Sequence, residues 1–201
     1  MMFNDIAGVI LAGGASKRFG GLTKANIEVG GRTIISRILE VITPLFSEII
    51  IVTNTPEEFP SLTNHIITGD RYMRTGPLGG IHAAFCASSA KAVFVIAGDM
   101  PLIDRDIVKR QAALYTETDC EILIPLIGNY IEPLHSVYNS SLLSVLESYL
   151  DSKKDLAVRE FIRLARVEYI SFDPSEKNIS AFSNINTPDD LSRINRILGS
   201  Y

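Results

Sequence analysis

Apolar residues gather in short, nearly continuous runs along the chain, and the segments between the runs carry apolar residues at helical spacing. The runs cover Ile6–Leu11, 49–53, Ile66–Thr68 and Ala92–Ala97. Each has the length of a strand, and continuous apolar character is typical of a strand that is buried on both faces of a sheet. Strands that alternate with helices predict right-handed crossovers, a mostly parallel sheet and helices on both of its faces.

The helical segments have recognisable starting points. Thr33 is the predicted N-cap of a helix over Ile34–Ile42, and Asp104 is the predicted N-cap of a helix over Arg105–Tyr115. Further helices are predicted over 81–88, 142–150, 156–165 and from Thr187-Pro188 onward. These helices would form the two outer layers that cover the sheet.

The C-terminal half departs from this alternation at one place. Strands are predicted over 121–126 and 131–138, with a Gly128-Asn129 turn between them, and the last strand covers Val167–Phe172. Strands joined by a short turn are antiparallel, so part of the sheet is predicted to be mixed. No linker or repeat divides the sequence. It therefore predicts a single α/β domain over residues 1–201, with a three-layer, Rossmann-like open sheet.

Composition and charge narrow the possible functions. Of the 201 residues, 46% are hydrophobic and 21% are charged, which excludes a disordered chain. The net charge of −4 argues against a nucleic-acid-binding surface, although a local basic pocket for one nucleotide is compatible with it. No apolar run approaches the roughly 18 residues of a membrane helix, and no basic region precedes an apolar run at the start. We therefore expect a cytoplasmic protein without membrane contact or signal peptide.

Residues that bind metals or undergo redox chemistry are few. Cys86 and Cys120 lie 34 positions apart without CxxC spacing, so neither a disulfide framework nor a thiolate zinc site is predicted, and both suit a reducing cytosol. The three histidines are scattered, which disfavours a histidine-rich metal site. We expect Cys86 in the core and His135 either beside a substrate or in the core.

The loop that follows Ile6–Leu11 carries the strongest chemical signal. Residues 11–24 contain four glycines and three cations, Lys17, Arg18 and Lys24. Glycines allow backbone N–H groups to approach an anion, and the cations supply charge for a polyphosphate. The spacing matches neither the GxxxxGK[ST] phosphate loop nor the GxGxxG dinucleotide fingerprint.

Two further loops follow predicted strands at the same edge of the sheet, where open α/β sheets bind ligands. Asp99 comes directly after Ala92–Ala97, and a carboxylate there can hold Mg²⁺, which takes one or two carboxylates together with substrate phosphates. The loop over 69–80 is rich in glycine and is either a lid over a ligand or an inert connection.

Several stretches together resemble one known family. LAGGASKRFGGLTKA at 11–25 resembles the signature of the nucleoside-triphosphate transferases, and four more stretches narrow the resemblance: GPLGG at 76–80, GDMPL at 98–102, EPLHSVY at 132–138 and FSNINTP at 182–188. On these motifs the chain is identified as a member of the molybdenum cofactor guanylyltransferases, the MobA family. The resemblance covers nearly the whole sequence and implies the nucleoside-diphospho-sugar transferase-like variant of the predicted fold.

The resemblance implies a set of site residues. Arg18, Lys24 and Asp99 would be catalytic, with Asp99 as the Mg²⁺ ligand and Lys24 on the GTP phosphates. The further contacts to the nucleotide would come from Leu11, Ala12, Gly13, Gly14, Asn54 and Asp70. Asn184 and Asn186 would bind the acceptor, molybdopterin.

The implied reaction transfers GMP from GTP to molybdopterin. Other proteins of molybdenum cofactor biosynthesis are possible partners, whereas nucleic acid and membrane are not expected. Two alternatives stay open on the sequence alone. The first keeps the chemistry but changes the substrates, as a cytidylyltransferase for the same cofactor or a sugar-phosphate nucleotidyltransferase. The second is a nucleotide-binding regulator without catalysis.

Overall fold

The structure, a computed structural model, describes residues 2–13, 23–62, 64–152 and 156–199. Its strands are β1 (Ile6–Leu11), β2 (Glu28–Val29), β3 (Arg32–Thr33), β4 (Ile49–Val52), β5 (Ile66–Thr68), β6 (Ala92–Ala97), β7 (Ile122–Ile127), β8 (Tyr130–Ile131), β9 (His135–Asn139) and β10 (Val167–Phe172). Its α-helices are α1 (Ile34–Ile42), α2 (Pro77–Ala87), α3 (Arg105–Tyr115), α4 (Leu143–Ser152), α5 (Val158–Phe161), α6 (Glu176–Ala181) and α7 (Pro188–Leu198). The side chains of Thr33, Asp104 and Thr187 cap α1, α3 and α7, which confirms the predicted starts of these helices.

In the described ranges, eight strands form one sheet in the order β10-β7-β9-β6-β1-β4-β5, with β8 paired to β7. Strands β5, β4, β1 and β6 run parallel, and Val9 of β1 lies between Ile50 of β4 and Val95 of β6. Strand β9 runs antiparallel to β6 and β7, whereas β10 runs parallel to β7. The predicted mostly parallel sheet with a mixed part is confirmed. The carboxyl ends of the four parallel strands therefore share one edge.

Side chains of β1 point alternately to the two faces of the sheet and enter two separate cores. Ile10 lies in the core that contains Ile38 of α1, and Val9 lies in the core that contains Ile81 of α2. All four side chains are completely buried. Burial of one such aliphatic side chain contributes about 1.5–3 kcal/mol, so the two cores hold helices against both faces and fix the β1 terminus between them.

Several boundaries differ from those predicted. Helix α2 begins at Pro77 rather than at residue 81, because proline suits the first position of a helix. The predicted strand over 131–138 is divided into β8 and β9, and Pro133, which cannot donate to a strand ladder, lies between them. The predicted helix over 156–165 consists of α5 and the 3-10 turn Ile162–Leu164. Neither the separate β2–β3 hairpin nor α6 is predicted from the sequence.

Two local expectations have opposite outcomes. Gly128 has a φ of +58° and forms the two-residue turn between β7 and β8 with Asn129, as predicted. The expectation that Cys86 lies in the core is wrong: α2 buries Ile81 and Phe85, and Cys86 is exposed on its outer side. None of the helices in the described ranges is long and apolar enough to cross a bilayer.

Candidate active site

A cavity of about 520 Å³ lies at the carboxyl ends of β1, β4, β5 and β6. Most of the residues predicted to bind the nucleotide line it, together with one predicted acceptor residue: Leu11, Ala12, Gly13, Lys24, Asn54, Asp70, Asp99 and Asn184. Gly14, Lys17 and Arg18 lie outside the described residues. The sheet edge thus collects side chains that are up to 173 positions apart, from Leu11 to Asn184.

The loops after β1 and β6 lie unusually close together. Gly98 donates its N–H to the carbonyl oxygen of Leu11 at 3.0 Å, and Ala12 donates its N–H to the carbonyl oxygen of Val52 at 2.9 Å. A Cβ atom on Gly98 would lie 2.8 Å from the Leu11 oxygen and 3.2 Å from the Ala12 Cα atom. Only glycine fits this approach without movement of the backbone. Asp99, the next residue, is therefore held beside the end of β1.

Lys24 joins the two halves of the chain in the cavity. Its Nζ atom lies 2.9 Å from Oδ2 of Asp99 and donates to Oδ1 of Asn186 at 2.6 Å. The side chains of Lys24 and Asp99 are 24% and 19% exposed, so the ion pair is partly shielded from solvent. The Ile185 N–H also donates to the carbonyl oxygen of Asp99 at 2.9 Å, which ties the 182–188 segment to the end of β6.

The oxygens around the Lys24 ammonium suit a divalent cation. Mg²⁺ is bound through carboxylate and carbonyl oxygens and keeps several of its waters. Asp99 offers a carboxylate and Asn186 offers an amide oxygen, and both already contact one positive charge at 2.9 Å and 2.6 Å. This donor set fits a hard cation that also binds substrate phosphates.

Asn54 and Asp70 form a second polar pair at the ends of β4 and β5. The Asp70 N–H donates to Oδ1 of Asn54 at 2.8 Å, and Nδ2 of Asn54 donates to the Asp70 carboxylate at 3.4 Å. Partial burial raises the pKa of Asp70, and the hydrogen bond from Asn54 opposes this shift. A carboxylate and an amide in this position can bind hydroxyl and N–H groups, which are found on the nucleoside rather than on the phosphates.

One wall of the cavity is formed by the segment before α2 and by the first turn of that helix. Met73, Arg74, Gly76 and Pro77 all line the cavity. Arg74 has a φ of +65°, a conformation that is uncommon outside glycine and is concentrated at functional sites. Sequence reasoning missed this cation, because the glycine pattern of 69–80 draws attention to the loop but not to one residue in it.

The C-terminal half contributes Leu134 and Asn184 to the cavity wall, and Glu132 lies near Asp99. Leu134 and Asn184 line the cavity, and Oδ1 of Asn184 is buried without a hydrogen-bond partner among the described residues. Glu132 accepts a hydrogen bond from the Leu134 N–H at 3.2 Å. Burial raises the pKa of Glu132, and the nearby charge of Asp99 raises it further. The C-terminal half therefore supplies the Asn184 oxygen, an acceptor without a partner among the described residues, and the Glu132 carboxyl group, which is less acidic than usual.

His135 lies in the core and not on the cavity wall. Its ring packs edge-on between Phe94 and Phe182, at centroid distances of 5.3 Å and 4.9 Å. Both ring nitrogens are buried without hydrogen-bond partners among the described residues. Burial lowers the pKa of His135 to about 4, so the ring is neutral at pH 7. Of the two positions expected for His135, the structure shows the core position.

Known proteins are similar to this chain in sequence and in fold. The family described as MobA-like NTP transferase domain matches residues 8–169. A probable molybdenum cofactor guanylyltransferase of Natranaerobius thermophilus is 31% identical over 98% of both chains, and one of Peptoclostridium acidaminophilum is 35% identical over 94% of this chain and 88% of its own. The crystal structure of molybdopterin-guanine dinucleotide biosynthesis protein A from Archaeoglobus fulgidus superposes with a TM-score of 0.81 at 25% identity, over 98% of this chain and all of that one. The chain therefore belongs to the MobA-like NTP transferase family.

Proposed function

We propose that this protein transfers GMP from GTP to the terminal phosphate of molybdopterin, giving the guanine dinucleotide cofactor and pyrophosphate. The names of the relatives support these substrates. The observation that carries the proposal is that Lys24 and Asp99, which both line the cavity at the ligand-binding edge of the sheet, lie 2.9 Å apart, and that Asn186 contacts the same ammonium at 2.6 Å. A cation, a carboxylate and an amide oxygen in one place are the groups that a metal-bound triphosphate requires.

The transfer needs little acid–base chemistry from the protein. An oxygen of the acceptor phosphate attacks the α-phosphorus of GTP, the new O–P bond forms, and the bond to the β-phosphate oxygen breaks with its electron pair leaving on pyrophosphate. A phosphate is already ionised at neutral pH, so no base has to remove a proton. Catalysis then consists of positioning and charge stabilisation. Lys24 would stabilise the phosphate charge, and we assign the same role to Lys17 and Arg18.

We propose that Asp99 holds the divalent ion and that Asn186, which the resemblance implies as an acceptor contact, instead supplies its amide oxygen as a second ligand. Nucleotidyltransferases of this fold generally use a divalent metal, and we propose Mg²⁺ for this chain. When bound, the ion neutralises phosphate charge and orients the α-phosphate. The carboxylate of Asp99 would have to release the Lys24 ammonium for this purpose, and the phosphates offer that ammonium new partners in the same cavity.

The two halves of the chain would take different substrates. We propose that Leu11, Ala12 and Gly13, with the Asn54–Asp70 pair, bind the nucleoside, and that the C-terminal half binds the acceptor. The unused buried oxygen of Asn184 supports the second assignment, since it can accept an N–H of the pterin. We propose the cytosol as the compartment, where Cys86 and Cys120 stay reduced as free thiols.

The test is pyrophosphate release by the purified full-length chain with molybdopterin and the Mg²⁺ salts of GTP, CTP, ATP and UTP in parallel. We expect release with GTP, and a loss of roughly 10²-fold or more in turnover for Lys24→Ala and for Asp99→Ala, which is the scale of removing one electrostatic stabiliser. A preference for CTP would mean that the protein transfers a cytidylyl group rather than a guanylyl group. Near-normal turnover of both variants would refute the site, and binding of GTP without release would point to a regulator.

A further inference from the structure

Glu58 lies outside the cavity wall but holds the backbone from which Lys24 projects. It ends the 3-10 turn Pro56–Glu58, which follows β4. Its Oε2 atom accepts a hydrogen bond from the Thr23 N–H at 3.0 Å and lies 3.4 Å from Nδ2 of Asn26. The same Nδ2 donates to the carbonyl oxygen of Glu58 at 3.1 Å. One acidic residue thus contacts the residues on both sides of Lys24-Ala25.

Further contacts link the 3-10 turn Lys24–Asn26 to the segment between β4 and the 3-10 turn Pro56–Glu58. Lys24 begins the 3-10 turn Lys24–Asn26, and the side chain of Thr23 caps nothing within that turn. Instead, Oγ1 of Thr23 lies 3.3 Å from Oγ1 of Thr55, whose N–H donates to Oγ1 of Thr53 at 3.1 Å. The turn that carries Lys24 has its own backbone hydrogen bonds, from the Asn26 N–H to the Thr23 oxygen at 2.9 Å and from the Ile27 N–H to the Lys24 oxygen at 3.0 Å. Its position relative to the sheet is fixed by side chains that follow β4.

The Thr23 N–H depends on Glu58 for its hydrogen bond. Thr23 is buried, with 2% of its surface exposed, so water cannot easily replace a lost acceptor. The hydrogen bond from the Thr23 N–H is the main cause of a lowered pKa of Glu58, and its carboxyl group is charged at neutral pH. A charged acceptor on a buried N–H makes a stronger bond than a neutral one.

We infer that Glu58 is a positioning residue for Lys24: it fixes the start of the turn Lys24–Asn26 so that the Lys24 ammonium, which pairs with Asp99 in the free chain, reaches the phosphates when they bind. This inference rests on the proposed nucleotidyl transfer. A displacement of about 1 Å in a positioned group can cost about 10²-fold in rate. Without its anchor, the turn can move while the sheet beneath it stays in place, because Glu58 lies in a turn and its carboxylate contacts Thr23 and Asn26 rather than a strand.

The experiment compares Glu58→Ala, Glu58→Gln and Glu57→Ala in the full-length chain, each with and without Lys24→Ala. Glu57 is the matched control, since it lies in the same turn and is exposed. We measure pyrophosphate release with Mg-GTP and molybdopterin, and Mg-GTP affinity by calorimetry. With Lys24 present, Glu58→Ala should lower kcat/KM about 10- to 100-fold, Glu58→Gln, which keeps an acceptor oxygen, should lower it only a few-fold, and Glu57→Ala should have no effect.

The Lys24→Ala background gives the decisive result. If Glu58 acts through Lys24, Glu58→Ala should cost less than twofold there, because the two losses are not additive. Equal losses in both backgrounds, or no difference between Glu58→Ala and Glu57→Ala, would overturn the inference. Should Glu58→Ala fail to fold, the same comparison with Glu58→Gln decides. A wild-type chain that binds Mg-GTP but releases no pyrophosphate would refute the proposed function, and the affinity arm would still test the link between Glu58 and Lys24.

Discussion

Gly98→Ala tests whether the close approach of two strand ends builds the site. The added Cβ would lie 2.8 Å from the carbonyl oxygen of Leu11, whereas ordinary contacts begin at 3.4 Å, so one backbone must move by 0.6 Å (3.4 minus 2.8). This movement works against the hydrogen bond from the Gly98 N–H to the same oxygen, which is 3.0 Å long. The two nearest atoms, the Leu11 carbonyl oxygen and the Ala12 Cα atom, both belong to the backbone, so no side chain can rotate away to make room.

The expected magnitude follows from these two terms. Overpacking of a tight site costs about 1–3 kcal/mol, and loss of the hydrogen bond costs about 1 kcal/mol. The free energy of unfolding should therefore fall by about 2–4 kcal/mol, which for a chain of this size lowers Tm by about 5–15 °C. Because Asp99 follows Gly98 directly, its distance to Lys24 should grow, and kcat/KM should fall about tenfold or more.

Thermal unfolding and pyrophosphate release check this prediction. Gly13→Ala is the stability control, since a Cβ at Gly13 would meet nothing within 4 Å and its Tm should stay within about 2 °C of wild type. If Gly98→Ala kept its Tm within about 2 °C and its activity within about twofold of the wild-type values, the packing of the β1 and β6 ends would not be what positions Asp99.

Three further predictions concern the metal, the acceptor and the core. Lys24→Met should tighten Mn²⁺ binding without nucleotide about tenfold or more, because the ammonium no longer competes for Asp99, and an unchanged affinity in an electron paramagnetic resonance titration would contradict this. Asn184→Ala should raise KM for molybdopterin about tenfold through one lost hydrogen bond, and a raised KM for GTP instead would assign this residue to the nucleotide. Burial lowers the pKa of His135 from 6.5 to about 4. Between these two pH values the unfolded chain binds a proton at His135 that the folded chain does not bind. The free energy of unfolding of the wild type therefore falls by about 3 kcal/mol as the pH falls from 6.5 to 4. His135→Phe should remove this loss, and urea titrations of both proteins at pH 7 and pH 4.5 that showed equal losses would refute the assignment.

The sequence predicts best those elements whose ends carry a clear local signal. The bounds of β1, β6 and β10 agree with the predicted ones, as do those of α1 and α3. In β1 and β6 a continuous apolar run marks both ends, and in α1 and α3 a capping side chain marks the start. The bounds fail where a backbone rule acts inside an apolar segment, as at Pro133, which interrupts a run that otherwise resembles one strand.

Some contacts of the candidate site are likewise predicted by a rule that applies to the sequence, and others are not. The rule that ligands bind beyond the carboxyl ends of strands predicts that the loop after β1 and Asp99 lie together, and the contact between Lys24 and Asp99 across 75 positions agrees with it. No such rule connects Lys24 with Asn186, 162 positions away, or Thr23 with Glu58. Glu58 follows the proline of a short turn and looks like any solvent-exposed acid, so its role depends on a contact that only the folded chain displays.

The contact between Lys24 and Asp99 also explains how the site accommodates two partly buried charges when neither nucleotide nor metal ion is bound. A carboxylate and an ammonium that are 19% and 24% exposed would each lose hydration if left alone, and pairing at 2.9 Å offsets that cost. A metal-bound triphosphate brings both kinds of charge at once, so Asp99 can take the cation while Lys24 takes the phosphates, and neither group is left unpaired. A free nucleotide without metal would satisfy Lys24 but leave Asp99 facing further negative charge. The arrangement therefore favours the metal complex over the bare triphosphate, and binding measured with and without Mg²⁺ should differ more for wild type than for Asp99→Asn, whose amide lacks the repelled charge.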